Sequence, residues 1–178
     1  MSRLRTIDPA HSEGRVKEIF EGPLKGKHLN IFKGMANSPA ALDAYLAFSG
    51  ALGKAALSAA DRELIALATA EANECAYCRA AHTAIGKSVG LTDDLTVAAR
   101  RGAIGADPKR DAIVKFALKL HEKRGHVSDA DLKEFRAAGF TDGHIVEVVA
   151  TYAINLFTNY FNHVNDTAVD FPAPPALK

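Results

Sequence analysis

The chain's only two cysteines, Cys75 and Cys78, stand three positions apart, and His82 follows four positions after the second. On a helix, residues three and four apart are neighbours on one face. The two Cα atoms would then be about 5 Å apart, within the range a disulfide accepts. A free cysteine, with a pKa of about 8.5, is only a few per cent thiolate at neutral pH. An adjacent imidazole can take the thiol proton or stabilise the thiolate left behind. The partial positive charge of a helix N-terminus does the same and fades within the first turn. The helix terminus favours Cys75 as the acidic thiol and the histidine favours Cys78, so the spacing leaves open which sulfur attacks first. Two glutamates precede the pair, Glu63 and Glu71. Either could orient His82 or relay protons to it, since a bonded carboxylate fixes the imidazole tautomer and raises its basicity. The residues point to an activated dithiol.

Plainer readings compete. A closed zinc site would need Cys75, Cys78, His82 and a fourth ligand, and such sites usually hold more than two thiolates. Cysteines also pack inertly in cores, but His82 and Glu63 at these spacings argue against that. A thioredoxin-like arrangement needs a βαβ context absent here. Neither a metal nor an organic cofactor is expected.

The elements that must position these residues read as helices. Ser38-Pro39 is a start signal, serine as N-cap and proline at the first helical position. Leu42, Tyr45, Leu46 and Leu52 follow at helical spacing. Ser58 to Asp61 predicts a capping box that opens a helix through Leu64, Ile65, Leu67 and Ala68. Asn73 or Glu74 is the expected cap ahead of Cys75. Thr92-Asp93-Asp94 and Asp107-Pro108 start two further helices, and Ser128 caps a short one ending near Gly139. Thr141 begins a long last helix carrying Val148, Tyr152, Leu156 and Phe157. No segment alternates cleanly over a strand's length. The expected fold is all-α, a single helical domain over residues 1–178. Residues 1–37 form an N-terminal extension with two short helices around Gly22-Pro23, and residues 168–178 an irregular Pro-rich tail.

Asn155, Asn159, Asn162 and His163 recur along the last helix and read as a packing interface. Shifting the chain by 84 positions places Glu63 on Glu147, Cys75 on Asn159 and Cys78 on Asn162, a weak internal echo. With 48% hydrophobic and 24% charged residues the composition is that of a soluble globular domain. A net charge of +1 gives no electrostatic footprint for nucleic acid or an anionic membrane. No stretch is long and apolar enough to span a bilayer. The N-terminal residues lack the apolar core of a secretory signal, so a cytoplasmic location is expected. Thiols are kept reduced there.

Glu63 followed by Cys75-x-x-Cys78-x-x-x-His82 resembles the signature of alkylhydroperoxidase D-like proteins in the carboxymuconolactone decarboxylase superfamily. The likeness is most specific from Asp61 to Gly90. The segment Asn159-Tyr160-Phe161-Asn162-His163-Val164 is similar to the superfamily's peroxidase-related branch. The resemblance implies an all-α protein assembled as a trimer or hexamer. It also implies reduction of hydroperoxides, with a lipoyl or thioredoxin-like dithiol as electron donor. Carried over by position, Cys78 is the peroxidatic and Cys75 the resolving cysteine, and Glu63 and His82 form the proton relay. One departure stands out. Tyr77 occupies the position where the best-known members carry histidine. With a pKa of about 10 it is no base at neutral pH, but it can donate a hydrogen bond to a peroxide oxygen or a thiolate. Disulfide reduction, or non-enzymatic redox sensing on the same scaffold, is the alternative reading.

Overall fold

The computed structural model describes residues 2–177, and among these it is all-helical. After a 3-10 turn at Pro9–His11 come α1 (Gly14–Glu21), α2 (Asn30–Met35), α3 (Pro39–Leu52), α4 (Ala59–Ala72), α5 (Ala76–Ser88), α6 (Asp93–Arg101), α7 (Pro108–Glu122), α8 (Asp129–Ala137) and α9 (Asp142–Asn165). Helices α1 and α2 lie on either side of Gly22-Pro23, and residues 167–177 carry no helix.

The helix starts are locally determined. Ser38, Thr92, Ser128 and Thr141 each accept the backbone N–H three residues on, and Asp107 accepts those of Lys109 and Arg110. Ser128 with Asp131, and Thr141 with His144, close reciprocal capping boxes. At Ser58 only half of the expected box forms: its hydroxyl accepts from Asp61 N–H and donates to the Asp61 carboxylate at 2.7 Å.

Helix α4 is the centre of the domain. Every residue from Leu64 to Ala70 is buried, because α5, α6, α7 and α9 pack around it. A helix apolar on all sides is a helix enclosed on all sides. Beyond it, Phe116, Phe135 and Phe140 stack in series at centroid distances of 4.6 and 4.4 Å, tying α7 to α8 and the start of α9. On the opposite side, Ile19, Phe20 and Leu24 from the N-terminal extension pack with Leu42 of α3 and both cysteines. The extension therefore completes the core around the thiols. No helix among the described residues is long and apolar enough to cross a membrane.

The internal echo has no counterpart in backbone shape. Its first copy breaks between α4 and α5, whereas Glu147, Asn159 and Asn162 share the single unbroken helix α9.

Candidate active site

The break between α4 and α5 sets the geometry of the thiols. Asn73 ends α4, and its side chain donates to Thr69 O and to Asn159 Oδ1. Glu74 is left-handed, with φ 55°, a conformation that costs a non-glycine residue on the order of 1 kcal/mol. The chain reverses within these residues, and Cys75 N–H donates back to Ala70 O at 2.9 Å. Neither Asn73 nor Glu74 caps α5, contrary to expectation. Cys75 is itself the N-cap, its Sγ accepting the Cys78 N–H at 3.4 Å.

Both cysteines are free and buried. Cys78 lines a cavity of about 310 Å³ enclosed by α2, α3, α4, α5, α9 and the tail, and Cys75 lies behind it. The two sulfurs are hydrogen-bonded. That bond, aided by the Cys78 N–H and opposed by burial, lowers the Cys75 pKa to about 7. The same bond, then burial, then the charge on Cys75, pushes Cys78 above the ordinary thiol range. The pair thus gives up one proton near neutrality and holds the second between the sulfurs. Acidity falls on one sulfur and access on the other.

Asn162 supplies a contact that its reading as an interface residue missed. Its Nδ2 donates to Cys78 Sγ at 3.2 Å, and this lowers the pKa of Cys78. Asn159 acts on the same sulfur. Both asparagines are buried, so the expected packing role and contact with the thiol coincide. The one sequence signal was the echo, in which Asn162 is the counterpart of Cys78.

His82 lines the cavity beside Cys78. Its Nδ1 meets Glu63 Oε2 at 2.8 Å, leaving Nε2 without a protein partner among the described residues. His82, four positions after Cys78, makes no hydrogen bond to its sulfur, whose side-chain donor is Asn162. Burial pulls the imidazole pKa down, but the charge and hydrogen bond of Glu63, with the Cys75 charge, outweigh it. The net result is a pKa above 6.5. One turn further on, Gly86 lets α5 approach α4. A Cβ there would lie 2.9 Å from Leu91 Cδ1 and 3.7 Å from Glu63 Cβ.

Two expected accessory residues are engaged elsewhere. Glu71 does not reach His82. Its carboxylate bridges Arg79 at 2.9 Å and Arg100 at 2.7 Å, because the turn at residues 73–75 swings α5 away from the line of α4. Glu71→Gln is therefore expected to lower stability by about 2 kcal/mol, through loss of the partner of a buried guanidinium. Urea unfolding measures this, and the reactivity of Cys78 towards a thiol reagent should be unchanged. Tyr77 donates its hydroxyl to Asp170 Oδ2 at 2.7 Å rather than to a sulfur. Asp170 also accepts the Asn30 N–H at 2.8 Å, and Phe171 packs edge-on against Tyr77. The C-terminal tail thus forms one wall of the cavity. Tyr45 was read only as part of an apolar stripe. It lines the cavity too, and burial, then the charges of Cys78 and Glu63, raise its pKa.

Residues 39–119, from the start of α3 into α7, match the model of the carboxymuconolactone decarboxylase family. This span is just under half of the chain. It holds Tyr45, Glu63, both cysteines and His82, whereas Asn159, Asn162 and the wall at Asp170 and Phe171 lie beyond it. No curated protein matches the chain. Among solved structures, the chain is similar to an alkylhydroperoxidase AhpD core, peroxidase-related protein of Ralstonia eutropha JMP134. The two are 26% identical with a TM-score of 0.84, over 95% of this chain and 92% of that one. A peroxidase-related protein of Silicibacter sp. TM1040 gives 22% identity and a TM-score of 0.77 over 94% of each chain. The debrominase Bmp8, solved with 2,3,4-tribromopyrrole, shares the fold at 16% identity and a TM-score of 0.75, over 96% of this chain and 94% of that one. The all-α alkylhydroperoxidase D-like fold extends over nearly the whole chain, and the solved structures that share it include a debrominase as well as peroxidase-related proteins.

Proposed function

We propose that the protein is a thiol-dependent hydroperoxide reductase. The observation that carries this reading is the placement of the sulfurs: Cys78 faces the cavity that the Glu63–His82 pair also lines, and Cys75 is hydrogen-bonded behind it. Cys78 is the peroxidatic cysteine. Its remaining proton passes along the hydrogen bond to Cys75, and the exposed thiolate, held by Asn162, attacks the terminal peroxide oxygen. The O–O bond breaks, and the departing alkoxide takes a proton from His82, which Glu63 keeps charged. Cys78 is left as a sulfenic acid. Cys75 attacks that sulfur, water leaves, and a Cys75–Cys78 disulfide results. A dithiol donor of lipoyl or thioredoxin type then reduces the disulfide by exchange. The sum is one hydroperoxide and one dithiol converted to alcohol, water and disulfide. This differs from the simplest reading of the sequence: a charged His82 is an acid for the leaving oxygen before it is a base for the thiol.

A reducing cytoplasmic setting suits this cycle. Val146, Val149, Phe157, Tyr160 and Val164 leave an exposed apolar face along α9, which supports assembly into a homo-oligomer, trimer or hexamer. The test of function is hydroperoxide consumption by the wild-type protein with dihydrolipoamide or reduced thioredoxin. Sustained turnover is expected. Reduction of a disulfide substrate without hydroperoxide consumption would assign a disulfide reductase. A disulfide that forms once without cycling would assign a redox sensor.

A further inference from the structure

The cavity is larger than hydrogen peroxide requires. At about 310 Å³ it falls at the lower end of pockets that enclose small organic ligands. It is also elongated. On α5 it touches Cys78, Ala81, His82 and Ile85, and on α9 Thr151, Ile154, Asn155 and Thr158. Cys78 to Ile85 and Thr151 to Thr158 each rise seven steps along one helix face, about 10 Å at 1.5 Å per residue. The two helices run in opposite senses, since Asn162 meets Cys78 while Glu147 reaches the backbone N–H groups of Ala56 and Leu57. Cys78 and Thr158 therefore mark one end of the slot, and Ile85 and Thr151 the other. Ile31, Phe32, Ala66, Ile154 and Phe171 give the lining its apolar surface, beside the polar Ser49 and Asn155.

The end away from the sulfur is polar in a specific way. Arg62 lines it, one guanidinium nitrogen being held by Leu57 O. A guanidinium carries five N–H donors, and no carboxylate of the described residues pairs with this one at salt-bridge distance. Two acids of this region are committed elsewhere, Glu63 to His82 and Glu147 to the amides of Ala56 and Leu57. Thr151 lines the same end, is buried, and its Oγ1 has no hydrogen-bond partner. A buried hydroxyl without a partner is costly unless a ligand satisfies it. A cation with spare donors beside such a hydroxyl fits an anionic oxygen.

We propose that the cavity selects an organic hydroperoxide with an apolar body and a carboxylate, the peroxide at Cys78 and the carboxylate on Arg62 and Thr151. The inference rests on the peroxidase reading for the chemistry but not for the binding. The probes are para-carboxy cumene hydroperoxide and its uncharged para-carboxamide. Wild-type kcat/KM should favour the carboxylate by about ten- to a hundredfold, the range for hydrogen bonds to a charged group. Arg62→Gln, which retains a donor for Leu57 O, should bring the ratio close to one, and Thr151→Val should lower it severalfold. A wild-type ratio of one or less, or a ratio unmoved by Arg62→Gln, overturns the proposal. A second arm needs no turnover: calorimetric binding of para-isopropylbenzoate and para-isopropylbenzamide to the protein with both cysteines changed to serine. Preference for the benzoate, lost in Arg62→Gln, upholds the assignment even where neither hydroperoxide is consumed, and the peroxidase reading then fails alone. Equal binding overturns it.

Discussion

Cys78→Ser is expected to lower hydroperoxide turnover by about three orders of magnitude or more, the loss usual when a nucleophile that forms a covalent intermediate is removed. Cys75→Ser should also stop cycling, but in a different way. Its Cys78 remains on the cavity wall with Asn162 donating to the sulfur, so one equivalent of peroxide is still consumed and the protein gains one oxygen atom. The wild type, oxidised mildly, should instead lose two hydrogens and stay monomeric in denaturant. The contrast is sharp because the acidity of the pair points the other way: the Cys75 pKa is lowered to about 7 by the bond from Cys78. If acidity alone chose the nucleophile, Cys78→Ser would keep the single oxidation and Cys75→Ser would lose it. Intact mass after one equivalent of peroxide decides between the two sulfurs. Access should win, since a proton shared in one hydrogen bond is easily moved, while a sulfur behind another is not easily reached.

What the sequence made legible follows the range of the interactions. Every helix start that was read from a Ser, Thr or Asp is present, because a cap is a hydrogen bond over two or three residues. The helix through Leu64, Ile65, Leu67 and Ala68 was legible from its cap and its apolar spacing, but nothing local says that α5, α6, α7 and α9 would surround it and bury every residue from Leu64 to Ala70. The Glu63–His82 pair was legible because two consecutive helices joined by a tight turn must lie side by side. Glu71 was misread for a related reason. Its helical spacing to Cys75 counts only if the helix continues, and the left-handed Glu74 ends that continuity. The role of Asn162 was hidden by an 84-residue separation from its sulfur. Asp170 and Tyr77 meet across 93 residues, so nothing near the cysteines showed that the tyrosine hydroxyl was already committed. Arg62 lay in plain view as one more charged residue, and only the cavity distinguishes it from a solvated side chain.

Glu63→Gln should lower kcat/KM by about a hundredfold near neutral pH, the usual worth of a positioned general acid, and should change the shape of the pH profile. In the wild type, turnover needs the thiolate of the pair, gained as pH rises past about 7, and charged His82, lost as pH rises through a folded pKa above 6.5. The two requirements together give a bell. Replacing the carboxylate removes the charge and the charge-assisted bond that hold the imidazole up. Burial, the largest single influence on His82 and the one that opposes its charge, then dominates and moves the descending limb to lower pH, where little thiolate exists. Stability should follow the same sign. A histidine whose folded pKa lies above its unfolded value contributes stability in full below pH 6.5 and loses it as pH rises through the folded value. Wild-type thermal stability should therefore gain a component that falls away from neutral to alkaline pH. In Glu63→Gln that component should vanish, and the buried neutral imidazole should instead cost stability as pH falls. Melting temperatures and kcat/KM from about pH 5 to 9, around the ordinary histidine range, measure both. A variant with a uniformly lower rate but an unmoved descending limb and an unchanged stability slope would show that Glu63 merely packs against His82, and that the proton for the leaving oxygen comes from elsewhere.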